Sequence, residues 1–507
     1  MQTVVAQWYD PNPHTFSKAQ REHTTLLFGG LTAMHDGLIE AAVSALGYRL
    51  QALPCPDRDA LQYGKEFGNR GQCNPTYFTV GNLIKYLIHL RDVEGLSCEQ
   101  IVNDYLFVTA GACGPCRFGM YVTEYRKALR DAGFGGFRVL LFENAGSLHQ
   151  SESNTGLELT TGFFITLLKA AMLGDVVNAM GYRIRPYEVV TGSTDTALEE
   201  CRSLLCAALR KRRGLRRALR QCRRRLAAVE VDRLQAKPKV SIIGEFWAMT
   251  TEGEGNYQLQ RFLEAEGAEC EVQAVVSWVL YSIWEAAYDT RERMLLRSEQ
   301  PTGRRRWEFA PLKQLLLLRL GRGVLKHYFY RYARHIGLAG YHLPDMDELA
   351  RIGHDYYANE LRGGEGHMEV AKLIQGVTQH KVHLTLSIKP FGCMPSSGVS
   401  DGVQSLVTAR YPEANFLAVE TTGDGAINVH SRVQMALFRA RQNAEDEYQA
   451  ALQTTSIDSE QANTRLAAQR RCRQATHYPP HRVAGTAANL LYELARRPWP
   501  QRLAGVR

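Results

Sequence analysis

No apolar run in this 507-residue chain reaches the 18 or more residues that a membrane span needs; the longest, such as Phe163 to Leu173, are short and broken by Lys169. Met1 to Pro11 carries neither a basic nor an apolar leader, which predicts a cytoplasmic protein without membrane contact. There is no strict internal repeat, no low-complexity tract and no Walker A pattern. Composition is ordinary globular usage, with 45% hydrophobic and 22% charged residues, 43 Gly and 18 Pro, which excludes disordered and collagenous classes. Eleven cysteines are an odd number, and a reducing compartment keeps thiols free, so a disulfide framework is excluded as well. Acids are missing from Cys201 to Val229, a segment that holds eleven basic residues. Removing those charges from the net +9 leaves the rest of the chain at −2, so the basic balance is one local feature and predicts no nucleic-acid binding.

What is present is alternation. Tyr105 to Thr109, Arg138 to Phe142, Lys239 to Ile243, Glu271 to Val275 and His383 to Ile388 read as buried strands. Helical patterns separate them at Phe118 to Leu129, Tyr257 to Glu266 and Glu369 to Thr378. The length is about three to four times a roughly 150-residue domain. An α/β fold class follows, with two Rossmann-like parallel-sheet lobes joined by a long helical segment. The expected boundaries are an N-terminal lobe over 1–194, a basic helical connector over 195–237, a C-terminal lobe over 238–453 with a helical insertion at about 277–336, and a loosely attached tail over 454–507. Within the connector Leu215, Leu219, Cys222 and Leu226 make one apolar stripe opposite a wide arginine face. That face reads as a solvated surface or as a contact for an acidic partner.

The cysteines carry the chemistry. Cys98, Cys201, Cys206, Cys222, Cys270 and Cys472 have no partner motif and read as small packed side chains. Cys73 in Gly71-Gln72-Cys73-Asn74-Pro75, Cys113 and Cys116 in Cys113-Gly114-Pro115-Cys116, and Cys393 in Phe391-Gly392-Cys393-Met394-Pro395 each stand just before a helical pattern; the last two settings also follow a strand. Strand ends in an open parallel sheet face the ligand crevice, and helix N-termini there favour thiolates. Neighbouring glycines let the backbone approach an inorganic core. The arrangement points to an iron-sulfur cluster between the lobes, with Cys55, between Pro54 and Pro56, as an outlying candidate. A zinc ribbon would pair two close Cys-x-x-Cys knuckles, and this cluster of motifs has one. Strand, Cys113-Gly114-Pro115-Cys116, helix is also the layout of a thioredoxin-like dithiol oxidoreductase, although Ala112 stands where such modules usually have Trp.

Those motifs, together with Gly244-Glu245-Phe246-Trp247 and Gly363-Gly364-Glu365-Gly366-His367, resemble the iron-sulfur component of 2-hydroxyacyl-CoA dehydratases. The closer resemblance is to the dehydratase-like portion of large proteins that fuse it behind activase ATPase domains, and it covers roughly residues 30 to 445. The resemblance implies a [4Fe-4S] or double-cubane cluster on Cys73, Cys116 and Cys393, with Cys113 as fourth ligand. It implies electrons from a separate activase ATPase, and a CoA thioester dehydrated through a ketyl radical or a small molecule reduced. A non-catalytic electron-transfer or scaffold subunit, in a homo- or hetero-oligomer, is the other role it leaves open. No activase phosphate loop is found in the chain, since Gly423-Asp424-Gly425 stands in the wrong context, so ATP hydrolysis falls to another polypeptide. Glu365 and His367 are the candidate acid/base pair, against a reading of that loop as a glycine-rich turn that starts the next helix. Ser396 and Ser397 read as a helix cap, and Trp247 as part of a crevice wall.

Overall fold

The computed structural model describes residues 16–111, 116–142, 156–298, 309–361, 366–398 and 402–496. The first lobe runs β1 (Thr25–Phe28), α1 (Ala33–Ser44), β2 (Arg49–Ala52), α2 (Arg58–Phe67), α3 (Asn74–Asp92), α4 (Cys98–Asp104), β3 (Tyr105–Ala110), α5 (Tyr121–Asp131) and β4 (Arg138–Phe142). Three helices follow, α6 (Thr161–Ile184), α7 (Ser193–Arg210) and α8 (Leu215–Ala227). The second lobe begins with β5 (Lys239–Gly244), α9 (Phe246–Thr250), α10 (Leu259–Ala265), β6 (Glu269–Val272), α11 (Val275–Ser298) and α12 (Phe309–Ile336). It continues through α13 (Met346–Gly353), α14 (Gly366–Thr378), β7 (Leu384–Pro390), α15 (Met394–Gly398), α16 (Gln404–Arg410), β8 (Phe416–Thr421) and α17 (Ala426–Thr455). The last two helices are α18 (Ser459–Ala468) and α19 (Thr486–Arg496).

Both sheets are wholly parallel and share one strand pattern, β2-β1-β3-β4 and β6-β5-β7-β8. Leu26 sits opposite Leu50 on one side and Leu106 on the other, and Ile242 opposite Val272 and Leu386. Apolar residues stay on these strands because helices cover both faces. The direction of winding reverses between β1 and β3 and again between β5 and β7. In an open parallel sheet such switch points are where ligand sites form. Glu245 follows β5 there, the Phe391-Gly392-Cys393 loop follows β7, and the turn carrying Cys116 lies just beyond β3.

The Phe163 to Leu173 run belongs to α6, a helix whose length and apolar composition suffice for a membrane crossing, contrary to the reading of the run alone. Its buried residues, from Ala170 through Ile184, pack in the core with α1, α7, α11 and α12. The connector is equally embedded: Leu219, Cys222 and Leu226 of α8 are fully buried while Arg216, Arg217, Arg220, Arg223, Arg224 and Arg225 face outward. The segment from 454 to 496 is not loose. Leu490, Leu491 and Leu494 form a buried cluster with Leu234 and Ala451, and Thr486 Oγ1 donates to Glu269 at 2.6 Å.

Helices α2 and α3 cross at glycines. A β-carbon on Gly81 would collide with the carbonyl oxygen of Ala60 and the amide nitrogen of Gly64, so only glycine lets the two backbones approach this closely. Asp57 caps α2, its carboxylate accepting from the Ala60 amide at 3.0 Å, and Pro75 sits in the first turn of α3, where its missing N–H costs nothing. The crossing fixes where α3 starts, and the residue before that start is Cys73.

Candidate metal centre

The N-terminus of α3 is inserted between the lobes. The Asn74 amide donates to the Phe391 carbonyl at 3.0 Å, and Asn74 Nδ2 reaches Thr421 Oγ1 at 3.3 Å. Gly392 has φ of +76°, and a β-carbon there would lie 3.2 Å from Cys73 Cα. Cys73 of the first lobe and Cys393 of the second are therefore set on adjoining backbone. Phe78 of α3 packs against Trp247 of α9, ring centroids 5.7 Å apart, so Trp247 belongs to the buried core of the second lobe.

Cys116 precedes a short 3₁₀ turn, Arg117–Met120, that leads directly into α5. This turn is tied to the Cys73 loop through the Arg117 guanidinium, which donates to the Gly71 carbonyl. Tyr121, the first residue of α5, places its hydroxyl 3.0 Å from Cys73 Sγ, and Thr76 Oγ1 lies 3.1 Å from the same sulfur. Both hydroxyls are able to donate to a thiolate, which is the form a metal takes up. Tyr121 was invisible to motif reading because its part is played 48 residues from Cys73.

Cys393 is half-buried, in an acidic environment. Burial, then the Glu245 carboxylate, pushes its thiol far above the ordinary range. This is contrary to the expectation that the start of a helix there favours a thiolate: burial and Glu245 outweigh it, so a thiolate at Cys393 would need a cation beside it. Glu245 follows β5 and accepts from the Ala248 amide at 2.8 Å, and loss of solvent raises its carboxyl too. Glu369 is 2% exposed; Ser396 Oγ donates to its Oε1 at 3.1 Å, and its Oε2 is buried with no hydrogen-bond partner. Burial lifts the Glu369 carboxyl from 4.5 to about 8, with Glu245 adding to the rise and Lys389 opposing it. Ser396 and Ser397, expected to cap the helical stretch near Gly402 to Ala409, lie within α15 instead: one binds Glu369, and the other donates to the Cys393 carbonyl at 2.7 Å.

The protonated state of Glu369 has a consequence for stability. Its folded carboxyl binds a proton more tightly than the unfolded chain does, so this contribution is complete below about pH 4.5 and is lost as pH rises through about 8. Glu369→Gln keeps an acceptor for Ser396 and carries no charge. The variant should gain on the wild type as pH rises, by about 2 to 4 kcal/mol at the alkaline end, seen as diverging melting temperatures between about pH 6 and about pH 9. Parallel melting curves across that range would show that Glu369 does not titrate as described.

The remaining sequence candidates fall elsewhere. Cys113 and Glu365 lie outside the described residues. His367 is 2% exposed, with Nδ1 2.8 Å from the Tyr281 hydroxyl and Nε2 3.2 Å from the Ala358 carbonyl, inside a box of Tyr281, Trp284 and Tyr357 rings. Both ring nitrogens are engaged at the start of α14. Cys55 lies against Gly253 across the lobe junction, and loss of solvent with the carboxylates of Glu252, Asp36 and Asp57 pushes its thiol to about 11, the same kind of shift seen at Cys393. Neither protein-family models nor curated proteins give a match to this chain.

Proposed function

We propose that this chain is an oxygen-sensitive iron-sulfur protein similar to the iron-sulfur component of 2-hydroxyacyl-CoA dehydratases, acting with a separate ATP-hydrolysing activase in radical-type dehydration or reduction. The observation that carries this reading is the junction at which the Cys73 end of α3 abuts the Cys393 loop, giving one cysteine from each lobe on adjoining backbone. Cys73, Cys116 and Cys393 would hold a [4Fe-4S] or double-cubane cluster, with Cys113 as a fourth thiolate. Such a cluster, when bound, supplies single electrons at low potential. The surrounding residues have definable work. Thr76 and Tyr121 hold the Cys73 sulfur in place through their hydroxyls. Glu369, kept protonated by burial, is a carboxylic acid able to give up a proton beside Cys393, as a group moving water's elements must be. Phe391 and Met394, 52% and 57% exposed on either side of Cys393, offer apolar contact to an arriving thioester or protein.

A second reading, an electron-transfer subunit without substrate chemistry, is favoured by the outward arginine face of α8, which suits an acidic partner. Anaerobically purified protein should contain iron and acid-labile sulfide in near-equal amounts, a broad absorption near about 400 nm, and a low-temperature paramagnetic resonance signal on reduction. Turnover of a 2-hydroxyacyl-CoA with an activase and ATP separates the catalytic reading from the carrier reading. Colourless, iron-free protein that stays so after reconstitution with iron and sulfide would overturn both.

A further inference from the structure

We propose that Cys472, His477 and Glu493 form a second, mononuclear metal site that takes zinc. Their donor atoms all lie within 4.8 Å of one another. His477 Nε2 is 2.8 Å from Glu493 Oε2, with side chains 7% and 10% exposed, and Cys472 is 1% exposed. Cys472 Sγ also has Gln469 Oε1 at 3.3 Å, an oxygen within reach of a fourth position.

Sulfur, imidazole nitrogen and carboxylate oxygen are the donors zinc accepts, in its usual pattern of three protein ligands and one further position. A thiolate and a carboxylate together neutralise a dication, so the loaded site carries no net charge into the interior. The fold supplies an independent reason. Residues 469–485 contain neither helix nor strand, yet Cys472, Ala475, His477 and Ala484 within them are buried. Side chains of Arg233, Glu447 and Asn489 already bond the backbone of this stretch, and a metal would add a bond from Cys472 and His477 to Glu493 of α19. This site is distinct from the crevice cysteines, and its motif, Cys-x₄-His with a distant Glu, has no close cysteine pair to announce it.

The test is metal analysis of the full chain purified without chelator, followed by Co²⁺ titration of stripped protein. About one zinc per chain is expected beyond any iron, retained in Cys393→Ala and lost in Cys472→Ser and His477→Gln. Co²⁺ should give thiolate charge-transfer and visible tetrahedral bands in Cys393→Ala but not in Cys472→Ser, and Zn²⁺ should raise the melting temperature of stripped wild type but not of Glu493→Gln. Folded wild type that neither retains zinc nor takes up Co²⁺ overturns the proposal even if the variants fail to fold. Equal zinc in wild type, Cys472→Ser and His477→Gln overturns it too, leaving a plain His477–Glu493 hydrogen bond.

Discussion

Cys393→Ala should strip the chain of most of its iron and of its absorption near about 400 nm while leaving the iron-free fold within about 1 kcal/mol of wild type. The loop does not depend on the thiol. Its bonds are made by backbone, the Cys393 amide to Pro390 at 3.0 Å and the Ser397 amide to Cys393 at 3.1 Å, so alanine keeps both. Cys73→Ala should lose iron equally but cost the fold more, about 1 to 3 kcal/mol, because the buried Tyr121 hydroxyl loses its sulfur partner. Cys98→Ala, half-buried and far from the junction in sequence, should do neither. Iron and sulfide assays paired with thermal melts separate the effects. Wild-type iron content in both Cys393→Ala and Cys73→Ala would remove the centre from this crevice.

The largest purely structural effect belongs to Gly81→Ala, expected to destabilise by about 3 kcal/mol or more. What a β-carbon meets there is backbone, the Ala60 carbonyl and the Gly64 amide, and backbone has no rotamer into which to retreat. Helices α2 and α3 must then separate, and α3 carries Cys73 at its end, so iron content should fall along with stability. Gly135→Ala, where a β-carbon meets nothing within 4 Å, should stay within about 0.5 kcal/mol. Denaturant midpoints measure the pair, and equal midpoints would contradict the close crossing.

How much the sequence disclosed depended on whether the signal was local. Strands β3, β4, β5 and β7 were legible because each is a run of apolar or β-branched residues bounded by turns, and the two parallel sheets followed. Strands β1 and β2 are four residues each, and β2 carries Arg49 and Gln51, too short and too polar to separate from loop. The strand expected at 271–275 is instead β6, Glu269–Val272. Hydroxyls of Tyr187, Tyr478 and Thr486, from distant parts of the chain, satisfy that Glu269, and no local pattern encodes them. The same holds at the candidate centre. Cysteine settings were readable one by one, whereas Tyr121, Glu369 and Ser396 gain their meaning from folding. The C-terminal segment looked loose because its short helices are separated by irregular chain, yet its leucines and its Thr486 are buried against the second lobe.

Since α3 begins against the opposite half of the molecule, swinging the two halves apart would have to break the Asn74 bonds to Phe391 and Thr421 and the close contact at Gly392. A small segment with Phe391 and Met394 in solvent would then be freer to move than the junction itself, and anything reaching Cys393 would meet it first.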